Sequence, residues 1–107
     1  MIARGWNNGS HRPSGAGYGI KIATEDRDSH FKREWKKVML LLEGVSDPID
    51  VNIDKPSFWG PTCRELICRE IGLWLIGSGR ATWPEGLPPK LELRPIGEGS
   101  FRVRIVG

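Results

Sequence analysis

Asp26, Asp28 and His30 lie close together, with Glu34 after them and His11 upstream. A metal-dependent nuclease needs carboxylates and a histidine converging on one cation. Asp26 and His30 are i and i+4 if their segment is helical, so they could share an ion. No second cluster of this kind accompanies them. The plainer reading is a solvated helix start with local ion pairs, which stabilise little. Gly15-Ala16-Gly17-Tyr18-Gly19 could cradle a phosphate if a helix followed. A strand pattern follows instead, and no Gly-Lys-Ser/Thr ending is present. No serine sits in a Gly-x-Ser-x-Gly elbow. Cys63 and Cys68 fit neither a zinc spacing nor a disulfide within one helix. They read as reduced thiols. The sequence therefore calls for no cofactor and no metal, and a non-enzyme is preferred to an enzyme.

The basic residues carry more. Lys and Arg outnumber Asp and Glu by 16 to 13, for a net charge of +3 and a pI near 9.1. This points weakly to polyanions. Residues 1–22 hold Arg4, Arg12 and Lys21 and no acid, and residues 23–37 hold five cations against four acids. Arg4, Arg12, Lys21, Arg27, Lys32, Arg33, Lys36 and Lys37 are the candidates for phosphate contact. Asn7, Asn8 and His11 could add groove contacts, since amides read base edges. The partner expected is nucleic acid, DNA before RNA. The alternative is a protein-interaction or inhibitor module that uses the N-terminal segment and exposed tryptophans. A small metal-dependent nuclease on Asp26, Asp28 and His30 is a further alternative.

These residues must be held by one domain, because 107 residues leave little room for a second. No apolar run approaches the roughly 18 residues of a membrane span. The N-terminus lacks the hydrophobic stretch of a signal peptide. Both absences, with the reduced thiols, lead us to expect a cytoplasmic protein without membrane contact.

Five of residues 5–19 are glycine, which reads as a flexible Gly/Asn/Ser-rich basic arm over residues 1–17. The globular core then spans 18–107. Tyr18, Ile20 and Ile22 alternate as a strand. Residues 24–31 suit a short helix, acids early and bases late. Phe31, Trp35 and Val38 either extend that helix or follow its end near Phe31 as the approach to a strand. Residues 37–43 and 49–53 predict one hairpin, and 91–105 a second. Thr62 and Glu65 match a capping box. Behind it, Cys63, Leu66, Ile67, Ile71, Trp74 and Leu75 predict an amphipathic helix over 63–76. Trp59 and Trp83 flank it in loops, where they either carry recognition or fold back on the core. The class expected is α+β: a small, mostly antiparallel sheet or half-open barrel of about five strands with one main helix.

This order of elements resembles the B3-type DNA-binding pseudobarrel of plant transcription factors and of some restriction-enzyme effector domains. The resemblance rests on Asp26-Arg27-Asp28-Ser29-His30-Phe31 between strands, Ser57-Phe58-Trp59 before the helix, and the closing hairpin. It covers residues 18–106. It implies double-stranded DNA gripped by two arms, around residues 21–30 and 54–57. The expected strand count, five, falls short of the family's seven. The loop at Trp83-Pro84-Glu85-Gly86 also lacks the family's usual Gly-Asp.

Overall fold

A computed structural model describes residues 1–107. It has seven strands rather than five: β1 (Ile2–Asn7), β2 (Tyr18–Lys21), β3 (Lys37–Leu42), β4 (Ile49–Asn52), β5 (Glu65–Ile67), β6 (Lys90–Gly97) and β7 (Ser100–Ile105). The helices are α1 (Thr24–His30), α2 (Pro56–Trp59) and α3 (Arg69–Gly77). The class is α+β. One sheet runs in the order β4-β3-β7-β6-β1-β2-β5. All pairs are antiparallel except β3 with β7. The end strands β4 and β5 touch, so the sheet curls into a nearly closed barrel.

Both predicted hairpins form, and their period of two explains why. Val38, Leu40 and Leu42 point inward from β3, and Leu91, Leu93, Phe101 and Val103 do so from β6 and β7. Tyr18, Ile20 and Ile22 join them. The segment after Ala23 resolves as a helix that stops at His30, followed by a strand from Lys37. Phe31 then stacks on Phe101 at 4.8 Å between ring centres and meets Phe58 edge-on at 5.3 Å. Such pairs contribute about 1 kcal/mol each beyond their buried area. They join α1, α2 and β7.

Two expectations are corrected. Residues 2–7, read as part of an arm, form β1, hydrogen-bonded between β2 and β6. The pattern hid it because its inward residues are Ala3 and Gly5. A Cβ on Gly5 would collide with the Pro89 ring, so no large apolar residue can mark that face. Residues 8–17 then turn back, held by Asn7 and Asn8 side chains on local backbone. Gly15, with φ +84°, lies directly on the backbone of Gly72 in α3, where a side chain on either would clash.

The second correction concerns the helix expected over 63–76. It begins at Arg69. Glu65, Leu66 and Ile67 pair with Lys21, Ile20 and Gly19 as β5. Leu66 is buried in either geometry, so it satisfied the helical stripe while serving a strand. The capping box is not made. Glu65 turns instead to Lys21, 3.4 Å away. Cys68 precedes the first turn without a side-chain cap bond, and Cys63 lies outside the helix. Arg64 breaks the chain direction with φ 106°, a costly conformation for a non-glycine residue. Its guanidinium offsets that cost by donating to the carbonyls of Ile22 at 2.8 Å and Pro61 at 2.6 Å.

Candidate nucleic-acid interface

Paired residues on antiparallel neighbours project to the same face of a sheet. Because Ala3 and Gly5 face inward on β1, Ile2, Arg4 and Trp6 face outward. Arg4 stands between Lys21 of β2 and Lys90 of β6. Ile2 stands beside Glu92, which stands beside Arg104, and Arg94 stands beside Arg102. The outer surface of β2, β1, β6 and β7 therefore carries six cations: Lys21, Arg4, Lys90, Arg94, Arg102 and Arg104. Glu92 on the same face, Glu65 at its margin and Glu43, whose carboxylate accepts from the Ile105 N–H at 3.3 Å and whose charge reaches Arg104, oppose them.

Glu92 is shared. Arg104 donates to it through Nε at 2.6 Å, and Arg94 approaches at 3.8 Å. The hydrogen bond from Arg104, more than the nearby charges, holds the Glu92 carboxyl below its usual range and raises Arg104. Arg102 has no ion pair. These four residues alone line a small cleft of about 280 Å³. Three guanidinium groups around one carboxylate leave an anion-attracting excess.

Beside this surface, Arg4, Trp6, Asn7, His11, Lys21 and Trp83 line an open groove of about 670 Å³, together with Glu85, its one acid, Gly86 and Pro88. The groove is built from within. His11 Nδ1 lies 2.7 Å from the Tyr18 hydroxyl, and both rings meet Trp83 edge-on, at 5.2 and 5.8 Å. Trp83 packs partly onto the core. Trp6 lies opposite Gly19, which offers no side chain to cover it. Lys21 reaches the Thr62 carbonyl at 3.2 Å as well as Glu65. Arg4 has no ion pair.

The candidates read from sequence thus separate into groups. Arg4, Asn7, His11 and Lys21 come together at the groove. Asn7 and Asn8 chiefly fix the turn that shapes it. Arg12 is exposed and unpaired. Arg27 is 8% exposed and donates to the carbonyls of Phe58 at 3.0 Å and Gly60 at 2.6 Å. It is a strut between α1 and α2 and is not free for a phosphate. Lys32, Arg33, Lys36 and Lys37 lie elsewhere, from the end of α1 to the first residue of β3. Lys32 pairs with Glu98 at 2.5 Å, Lys36 with Asp54 at 3.6 Å and Lys37 with Asp50 at 3.0 Å. Arg33 lies over the Trp59 ring at 5.2 Å. Sequence reasoning missed Lys90, Arg94, Arg102 and Arg104, although the alternation of β7 already pointed Arg102 and Arg104 outward.

Asp26, Asp28 and His30 lie on α1, and no group of three or more His, Cys, Asp or Glu side chains is placed to hold a metal ion. The segments that the B3 resemblance implies as arms carry Glu25, Asp26, Asp28 and Asp54, so they are less basic than the outer sheet. No helix is long and apolar enough to cross a membrane. Compared with known proteins, the chain matches no family model, no curated sequence and no solved structure.

Proposed function

We propose that this chain binds nucleic acid, DNA before RNA, without catalysing a reaction on it. The binding surface is the outer face of β2, β1, β6 and β7 with the adjoining tryptophan groove. The observation that carries this reading is the excess of cations on that face: Arg4, Arg94, Arg102 and Arg104 have one ion-paired carboxylate among them, Glu92. Unmatched cations release counterions from a phosphate backbone, which drives binding and makes it salt-dependent. Trp6 and Trp83 add surfaces on which an unpaired base could stack. The B3 resemblance supports the same class of partner, though its arms share only Lys21 with this face.

The test is fluorescence anisotropy with a labelled random duplex and a single strand of equal length, at two salt concentrations. Salt-sensitive binding is expected. Replacing Arg4 and Lys21 together by alanine should weaken it and lower the salt slope by about one per lost contact. Trp6→Ala should affect the single strand more than the duplex. A folded protein that binds neither polymer at low salt would overturn the proposal.

A further inference from the structure

A second surface shares no residue with the groove and has the opposite charge. The β3–β4 turn and the open side of α3 enclose an apolar groove of about 600 Å³, within the range of about 300–1,000 Å³ typical of binding pockets. Leu42, Ile49 and Trp74 form its floor. Trp74 is fixed there, because its indole N–H donates to the Glu43 carbonyl at 2.8 Å. Leu73 and Val45 stand at the mouth, 44% and 39% exposed. On α3 the core takes Ile71, Trp74 and Leu75, while Leu73 touches only the edge of the fold beside Gly15 and stays half exposed.

Every ionisable side chain lining this groove is an acid: Glu43, Asp47 and Glu70. In a chain of net charge +3, such segregation is informative. Asp47 has no ion pair, and Glu43 has none within 4 Å but accepts from the Ile105 N–H at 3.3 Å. Glu70 has only Arg69 at 3.7 Å, and it accepts a hydrogen bond from the Cys68 thiol at 2.9 Å, which holds its carboxyl below the usual range. The rim therefore repels phosphate and attracts cations, while the floor takes apolar side chains.

We infer that this groove docks an amphipathic segment of a partner protein, apolar side chains inward and lysine or arginine at its edges. Apolar contact supplies the affinity, and the three carboxylates select the flanking charge. The groove shares no lining residue with the nucleic-acid surface and meets it only through Glu43, which accepts from the Ile105 N–H of β7, so the protein could hold a polyanion and a basic partner segment together.

The probe is a fluorescein-labelled amphipathic peptide of leucine and lysine at helical spacing, compared with its leucine–glutamate counterpart. Anisotropy reads affinity, and the Trp74 indole N–H resonance reports the site. The lysine peptide should bind and shift that resonance, and the glutamate peptide should not. Leu73→Glu should weaken binding about tenfold or more. This substitution separates two explanations, because it adds negative charge and would strengthen purely electrostatic attraction. Asp47→Lys should weaken binding as well. Val45→Glu, on an exposed turn, serves as a second variant should Leu73→Glu unfold. Binding that is unchanged or tighter in Leu73→Glu, or equal for both peptides, would overturn the inference. So would concentration-dependent dimerisation abolished by Leu73→Glu, which would make the occupant a second copy of this chain. Neither outcome bears on DNA binding.

Discussion

From the end of α1 to the start of β3, Lys32, Lys36 and Lys37 each meet a carboxylate brought from another segment: Glu98, Asp54 and Asp50. Across β1, β6 and β7, Arg4 and Arg102 meet none, and Arg94 and Arg104 share one. Both regions are rich in cations, and along the chain the first looks richer. The difference arises in three dimensions. Lys37 pairs with Asn52, two residues from Asp50 on the same strand, so the hairpin neutralises it. The β6–β7 hairpin places Arg94 opposite Arg102, like charge against like. Like charges directly opposite on adjacent strands are destabilising.

The largest effect should come from Arg27, a cation in a third situation, inside the fold. Arg27→Ala would leave the Phe58 and Gly60 carbonyls without their donor and open a gap between α1 and α2. A loss of about 2–3 kcal/mol is expected in urea unfolding. A loss under about 0.5 kcal/mol would show that it is an ordinary surface cation.

A smaller effect would sharpen the contrast. Asp50→Asn, Asp54→Asn and Glu98→Gln together should free the matched lysines. Exposed pairs like these contribute roughly 0–1 kcal/mol each, so the fold should survive. DNA affinity should then rise several-fold at low salt in anisotropy titrations. No gain would mean that this side of the barrel does not reach the polymer, whatever its charge.

The smallest effect is in titration. The Lys32 hydrogen bond and charge hold Glu98 below its usual range, and Glu98 in turn raises Lys32. A depressed carboxyl contributes stability that is present above its unfolded pKa and lost as pH falls through its folded pKa. Glu92 behaves likewise through Arg104. Carbon-detected titration should therefore give both carboxyls midpoints below that of an ordinary glutamate. Lys32→Ala should raise Glu98 most of the way toward the ordinary value, the Trp35 hydrogen bond remaining, and leave Glu92 depressed. If both moved, the two pairs would be coupled across the barrel and the regions would not be independent.

Much of the barrel was legible wherever apolar and polar residues alternate. The two hairpins and β2 follow from that pattern, because their inward side chains are large. β1 was hidden because close packing under Pro89 requires Gly5, and a strand with Ala3 and Gly5 inward has no visible period. The start of α3 was misplaced because Leu66 suits either period, and the pairing of β5 with Gly19 depends on residues distant in sequence. The site was half legible. Arg4, Lys21, Asn7 and His11 were singled out and do converge. Arg27 could not be told from its neighbours, since its burial depends on carbonyls some thirty residues away. Lys90, Arg94, Arg102 and Arg104 were visible as alternating charges, but only the register of four strands sums them into one face.

The most direct measurement compares two triple variants with the parent protein: Arg94→Ala/Arg102→Ala/Arg104→Ala, and Lys32→Ala/Lys36→Ala/Lys37→Ala. Each would be titrated with the same labelled duplex across a range of salt, after thermal unfolding confirms that all three are folded. The arginine variant should lose affinity, and its salt slope should fall by about one for each lost phosphate contact. The lysine variant should keep nearly the parent slope. Equal losses in the two, or a greater loss in the lysine variant, would contradict the assignment of binding to the outer face of β1, β2, β6 and β7.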